Sequence, residues 1–378
     1  MVAFNRIEQS KIEKNGDNYV KKRYEWLDII KAICIIAVVI FHIGYYSTFT
    51  IANSIFQYFG SLAGLFEVTI FYCVAGITLN NDKLKETFKF LFHKFKKLYL
   101  KVIIIGISAV LLHNVFINIG FYKIGLSYSG KIMDAYVFKD YLVNFIKTIL
   151  LANREVILGA FWFVYSLIIC FIILSFIEFI INKLKIIKHK RECRLFITFL
   201  LMFLSIFFSN VFSIIIPRFS NSLVGLFLLD FTNYIFMNKK LEKCNIYLLF
   251  VCLINFLFAP AFGGIAMNSN IITSPYFLII VVISALYLLV FVSKKLEKIK
   301  ILNFLKYIGK NSFSIMAFHF IGFKIGGILL DLIGIETDIS LLMPNAYNIL
   351  YLCYYLVFGI SISLLFSYLL KKVLKFEL

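Results

Sequence analysis

A lysine and a histidine set eleven positions apart in an otherwise apolar run are the first residues of this chain with a spacing that chemistry can use. Lys31 and His42 stand in the segment 27–47, and Asp28 lies three positions before the lysine. At about 100° per residue the two return to one helical face, and a rise of about 1.5 Å per residue separates them by roughly 16 Å. Asp28 joins that stripe and is placed to neutralise Lys31. Imidazole titrates near neutrality, so His42 can take a proton from a hydroxyl as that hydroxyl attacks a thioester. The plainer alternative is that Lys31 snorkels to the headgroups and His42 bonds a backbone carbonyl of a neighbouring helix.

Other ionisable residues inside apolar runs are Glu67, His113, Asp230, His319 and Lys324. A charge at mid-bilayer costs roughly 2.5–3.5 kcal/mol on insertion scales, so each is a functional hypothesis by default. Glu67 sits near the middle of a segment antiparallel to the first, where it can share a cavity with His42 and orient the imidazole; a structural hydrogen bond or ion pair suits it equally. His113, followed by Asn114 and Asn118, is a second candidate for that cavity. His319 and Asp230 suit either a cavity wall or packing. The run His93, Lys94, Lys96, Lys97 and Lys101 can hold the phosphates of a nucleotide-like carrier, or serve only as topological charge.

Positioning these residues falls to helices in lipid. The chain is 61% hydrophobic and 16% charged, with a mean hydropathy of +0.91, outside the balance of a soluble domain. The net charge of +19 is spread in short runs between apolar segments instead of forming one basic domain, which argues against a nucleic-acid partner. A spanning helix needs about 20 apolar residues. Such segments fall at 27–47, 56–79, 98–119, 159–181, 196–216, 220–237, 245–260, 273–293, 311–333 and 346–370. The expectation is an all-α, polytopic integral membrane bundle of about ten transmembrane helices, with a membrane domain over 27–371.

Orientation follows from basic residues, which concentrate in short cytoplasmic loops. Segments 1–26, 80–97, 182–195, 238–244, 294–310 and 371–378 hold 30 of the 39 lysines and arginines. Both termini are therefore expected in the cytoplasm, as an N-terminal segment over 1–26 and a tail over 372–378. The first 25 residues are polar and charged, so the first span is expected to stay as a signal anchor. An amphipathic stretch at 136–152 suits the outer surface. The outward region 120–158 carries Tyr122, Tyr128, Tyr136, Tyr141, Arg154 and Glu155, a mixture suited to holding a polar ligand or to interfacial anchoring. Five of the seven cysteines fall in spans and two, Cys193 and Cys244, in cytoplasmic loops, so no disulfide is expected; no CxxC or Cys/His metal spacing appears.

Four motifs taken together resemble a known family. Tyr24-Glu25-Trp26-Leu27-Asp28-Ile29-Ile30-Lys31 through Val38-Val39-Ile40-Phe41-His42 looks like the opening segment of the acyltransferase type three superfamily, the polytopic enzymes that O-acylate bacterial envelope polysaccharides and related glycans. Phe71-Tyr72-Cys73-Val74-Ala75-Gly76 is similar to its Gly-ended second-span signature. Trp162-Phe163 resembles the start of a central span, and Ile308-Gly309-Lys310-Asn311-Ser312 leading to His319 resembles the penultimate one. The motifs stand in family order across nearly the whole chain.

The resemblance implies an acyl-CoA donor, acetyl-CoA first and succinyl-CoA as the alternative, bound from the cytoplasm, with no bound cofactor and no metal. It implies an acceptor hydroxyl on a lipid-linked or surface glycan, location in the cytoplasmic membrane, and polysaccharide-synthesis partners. It carries the essential basic residue and histidine onto Lys31 and His42. On this reading His42 and Glu67 are catalytic, and Lys31, Asp28, Lys94, Lys97, Trp162 and His319 bind substrate. Where the family often has an Arg-x-x-Arg pair this chain has Lys94 and Lys97, which keep the charge and lose the bidentate fork. The rivals are a transporter or flippase of lipid-linked saccharides and a non-catalytic subunit of a polysaccharide-export complex.

Overall fold

In hydrocarbon every backbone N–H and C=O must be satisfied within the protein, which leaves helices as the answer for long apolar runs. The computed structural model describes residues 12–15, 18–21, 24–44, 53–128, 131–152, 155–184, 189–238, 245–344 and 348–374. Residues 1–11, Arg154, Cys244, the loop 239–244 and the tail 375–378, on which some of the expectations fall, lie outside them. The helices are α1 (Glu25–Gly44), α2 (Asn53–Phe66), α3 (Thr69–Ile77), α4 (Asn81–Lys85), α5 (Thr87–Lys94), α6 (Leu100–Leu111), α7 (His113–Asn118) and α8 (Phe138–Ile149). They continue as α9 (Trp162–Lys183), α10 (Lys190–Phe212), α11 (Phe219–Met237), α12 (Ile246–Phe262), α13 (Pro275–Leu296), α14 (Asn303–Lys310), α15 (Ser312–Leu332) and α16 (Ile349–Leu374). Strands are confined to two-stranded antiparallel ladders, including β5 (Ile265–Ala266) with β6 (Ile271–Ile272), which follow β1 (Ile12–Asn15), β2 (Asn18–Lys21), β3 (Ser127–Tyr128) and β4 (Lys131–Ile132).

Seven helical stretches among the described residues are long and apolar enough to cross a membrane: 25–43, 58–77, 156–183, 190–212, 275–296, 312–332 and 349–372. This is a multi-pass helical membrane protein. Three further expected spans take other forms. The segment 98–119 is interrupted at Leu112 into α6 and α7. Helix α12 has 17 residues. Helix α11 buries Ser220, Asn221, Ser222, Asp230, Thr232 and Asn233, a polar load that belongs inside a bundle. The outward faces are those of a lipid-solvated protein: Phe196, Leu200, Phe203, Leu204 and Phe207 of α10 and Phe250, Val251, Ile254 and Phe258 of α12 are all exposed.

The amphipathic stretch at 136–152 forms α8, which runs antiparallel along α6. Asn114 beyond the end of α6 exchanges hydrogen bonds with the backbone of Tyr136 at 3.0 and 2.8 Å, and Tyr99 before its start donates to the Ile149 carbonyl at 2.7 Å. Asn144 and Thr148 are buried, while Leu142, Val143, Ile146 and Ile149 are exposed. The helix thus turns its polar side to the protein and its apolar side out, the reverse of a helix packed in water.

Polar networks join the helices. Arg194 of α10 donates to Asp230 of α11 and to Glu178 of α9 at 2.8 Å each, and to Asn81 of α4 at 3.1 Å. Asn81 in turn donates to Asn233, whose amide bonds the carbonyls of Gly76 and Leu79 at 3.0 and 3.1 Å. Glycines allow the closest approaches: a Cβ on Gly76 would run into the Leu229 carbonyl, and one on Gly309 into the Asp28 carbonyl. The lysine-rich connections meet at one end of the bundle, where Lys306 pairs with Glu25 at 2.5 Å and Lys294 lies 5.5 Å above the Trp26 ring.

Lys324 anchors the other end. Its buried ammonium donates to the carbonyls of Phe121, Ile339 and Leu341 at 3.0, 2.6 and 2.7 Å, using all three N–H directions to tie two connecting segments to α15. Lys324→Met keeps the stem and orphans three carbonyls. Its expected cost is about 2–3 kcal/mol, read as a lowered unfolding midpoint of the purified protein in detergent.

Candidate active site

His42 is carried near the end of α1, and α15 delivers His319 against it. The His42 Nδ1 lies 3.1 Å from the His319 Nε2, and the rings meet edge to edge with centroids 5.1 Å apart and planes 16° from parallel. His319 is fully buried, and its Nδ1 lies 2.9 Å from the Ile315 carbonyl and 3.1 Å from that of Met316 in its own helix. Phe320 packs on both rings, 4.9 Å from His42 and 4.2 Å from His319 between centroids.

The other side of His42 opens on a cavity of about 1060 Å³, at the upper end of small-molecule sites. Its walls come from α1, from α2 and the α2–α3 junction, from the start of α9 and from the β5–β6 hairpin. Among the described lining residues His42 and Glu67 are the titratable ones. Glu67 sits in the turn that separates α2 from α3, is buried, and has an Oε2 without a hydrogen-bond partner among the described residues. Trp162 and Phe163, which open α9, and Phe71 of α3 supply aromatic walls; Asn210, Asn268 and Thr273 supply polar ones. His42, Glu67 and Trp162, singled out from sequence, thus face one space. Glu67 forms no described hydrogen bond to His42, whose Nδ1 is taken by His319.

The basic residues are elsewhere. Lys31 pairs with Asp28 at 2.6 Å, as their spacing predicts, and neither lines the cavity. Lys94 lies 3.7 Å above the Phe171 ring of α9, and burial, aided by the charge on Lys97, pushes its ammonium down to about 8. Lys97 is exposed in the π-helical turn Phe95–Tyr99.

Two of the other candidates are held in networks of their own. His113 is buried with its Nδ1 3.1 Å from Glu155 Oε2 and its Nε2 3.1 Å from the Asp134 carbonyl. Tyr122 and Tyr136 donate to the same carboxylate at 3.2 and 2.5 Å, and the Tyr136 ring stacks on His113 at 3.5 Å. Tyr122 and Tyr136 therefore close over a His–Glu pair. Asp230 is bound by Arg194 as described above.

Residues 24–369 match the family model described as an acyltransferase domain, of the third type. The chain belongs to the type three acyltransferases. It is a multi-pass membrane acyltransferase, and the match spans every motif that carried the resemblance. No curated protein and no solved structure matches the chain.

Two features of this acyltransferase were hidden from sequence. Arg194 reads as one more topological charge in a basic run, yet it is buried at the centre of the α9–α10–α11 contact; the signal was the unmatched Asp230 one helix on. The β5–β6 hairpin, which lines the cavity through Ile265, Ala266 and Ile271, left only Gly263-Gly264 and Asn268 as marks of a turn.

Proposed function

We propose that this acyltransferase moves an acyl group, acetyl from acetyl-CoA, to a hydroxyl of a cell-envelope or lipid-linked sugar, with His42 as general base. The observation that carries the reading is the cavity, where the titratable groups among the described lining residues are one imidazole and one carboxyl. In the proposed step His42 takes the hydroxyl proton as the oxygen bonds the thioester carbon; the C–S bond breaks, and the sulfur leaves with that proton as coenzyme A. Glu67 and Trp162 hold the acceptor. A cavity this large and this aromatic exceeds the needs of an acetyl group and suits a sugar, since apolar walls with few polar groups favour ring stacking.

The same reading puts ten spans in the cytoplasmic membrane with both termini inside. The basic end of the bundle, with Lys31, Lys94 and Lys97, then faces the cytoplasm and receives the phosphates of coenzyme A. Single lysines hold phosphate as point charges, without the fork of an arginine. Grouping of the lysine-rich connections at one end supports that orientation.

The break between α2 and α3, beside a buried carboxyl whose Oε2 has no hydrogen-bond partner among the described residues, is what favours a transporter as the second reading, since discontinuous helices mark many substrate sites in transporters. Proteoliposomes loaded with envelope glycan separate the two. Release of free coenzyme A from external acetyl-CoA that depends on the glycan is expected; glycan movement without donor, and no thiol release, overturns the enzyme reading.

A further inference from the structure

We propose that His319 is a positioning residue that fixes the tautomer of His42 and so assigns the proton-accepting role to its Nε2. The proposal rests on His42 being the base, and it is argued from the direction of each hydrogen bond in the pair.

Backbone carbonyls only accept, so the His319 Nδ1, 2.9 and 3.1 Å from two of them, carries the ring proton. A neutral imidazole with its proton on Nδ1 has a bare lone pair on Nε2. That lone pair is 3.1 Å from the His42 Nδ1, which must then carry a hydrogen to bond it. Two carbonyls of α15 therefore set, through two rings, which nitrogen of His42 is unprotonated. It is Nε2, the nitrogen that does not face His319.

The opposite tautomer of His42 would set its lone pair against that of His319 and point an N–H at the acceptor hydroxyl, useless as a base. The arrangement is the orienting part of a catalytic triad with a neutral ring in the place of the carboxylate. The chain also ends where it should. When Nε2 takes the hydroxyl proton, His42 becomes imidazolium with its Nδ1–H still bonded to His319, and the proton of His319 cannot move on because carbonyls are poor bases. The charge stays on His42, and the proton leaves by the nitrogen it arrived on, toward sulfur. Burial of His319 and the aromatic cover of Phe320 and Phe323, the latter 5.5 Å from His319 between centroids, hold the second ring in place. Glu67, the orienting group expected from sequence, is left to the acceptor.

The test uses the full chain, labelled with ¹⁵N-histidine, in lipid nanodiscs, with its five histidines assigned by single substitutions. Nitrogen shifts are expected to show His42 protonated at Nδ1 and bare at Nε2, and this signature is expected to be lost in His319→Leu and kept in His319→Gln, whose side-chain carbonyl remains an acceptor. In cells, mass spectrometry of envelope glycans is expected to show acylation lowered about tenfold or more by His319→Leu at equal membrane abundance, and restored to within a few-fold by His319→Gln. A wild-type His42 bare at Nδ1, a signature unchanged in His319→Leu, or undiminished acylation in that variant overturns the proposal. Should His319→Leu fail to insert, the wild-type shifts and His319→Gln decide it. Full acylation by His42→Ala beside an intact tautomer signature would instead overturn the assignment of His42 as base.

Discussion

His42→Ala is expected to lower acyl transfer by about 10²–10⁴-fold while leaving membrane insertion intact. The range is what a positioned proton acceptor contributes, and the cavity offers few substitutes: Glu67 is the other titratable group among the described lining residues. The side chain faces an open space, so its loss widens the cavity instead of emptying a packed core. Among the described residues the orphaned partner is the His319 Nε2, at a cost of about 1–3 kcal/mol. Ester-linked acyl groups on envelope glycans, normalised to membrane abundance, measure the effect. Full acylation by a normally inserted His42→Ala would end the case for this residue as base.

Arg194→Ala is expected to be the most damaging single substitution for the fold, at about 3–5 kcal/mol, because it leaves the buried carboxylates of Glu178 and Asp230 without their cation. The two acids come from α9 and α11, and the same guanidinium reaches Asn81, so the loss loosens four helices at once. The mechanism makes a second statement. Combining Arg194→Met with Glu178→Gln and Asp230→Asn removes the uncompensated charge, and is expected to recover most of the unfolding midpoint lost by the single substitution. Size-exclusion profiles of detergent-purified protein after graded heating read both. A triple variant no better than Arg194→Ala would show that shape, and not charge, is what the arginine supplies.

The parts of this site that were legible in sequence are those set by local period. The Asp28–Lys31 pair follows from three residues of helix, but it lies outside the cavity that His42 faces. Glu67 stood out as a carboxyl near the middle of an apolar run, and Trp162 through the Trp-Phe motif that carries the family resemblance. The partner of His42 was not legible: His319 lies 277 residues away, and only the packing of α1 on α15 joins them. For Arg194 the difficulty was that a charge near a helix end carries the same mark whether it directs insertion or is buried. The period of α8 was plain, but which side faces inward depends on the solvent, and lipid inverts the answer that water would give. The same dependence explains α11, whose serines, asparagines and aspartate are buried inside the bundle.

One wall of the cavity is made of positions without side chains. Gly60 and Gly64 on α2 and Gly264 beside the hairpin all line it, and a methyl group built on any of the three would meet nothing within 4 Å. These sites are free of the packing constraints that fix Gly76 and Gly309, and they are separate from the helix pair that holds the two imidazoles. The reach of the enzyme toward larger or smaller acceptors can thus drift by small substitutions along a single rim, while the proton-transfer centre stays under unaltered selection. On the proposed reading, the choice of glycan acceptor is a property of the wall and not of the chemistry.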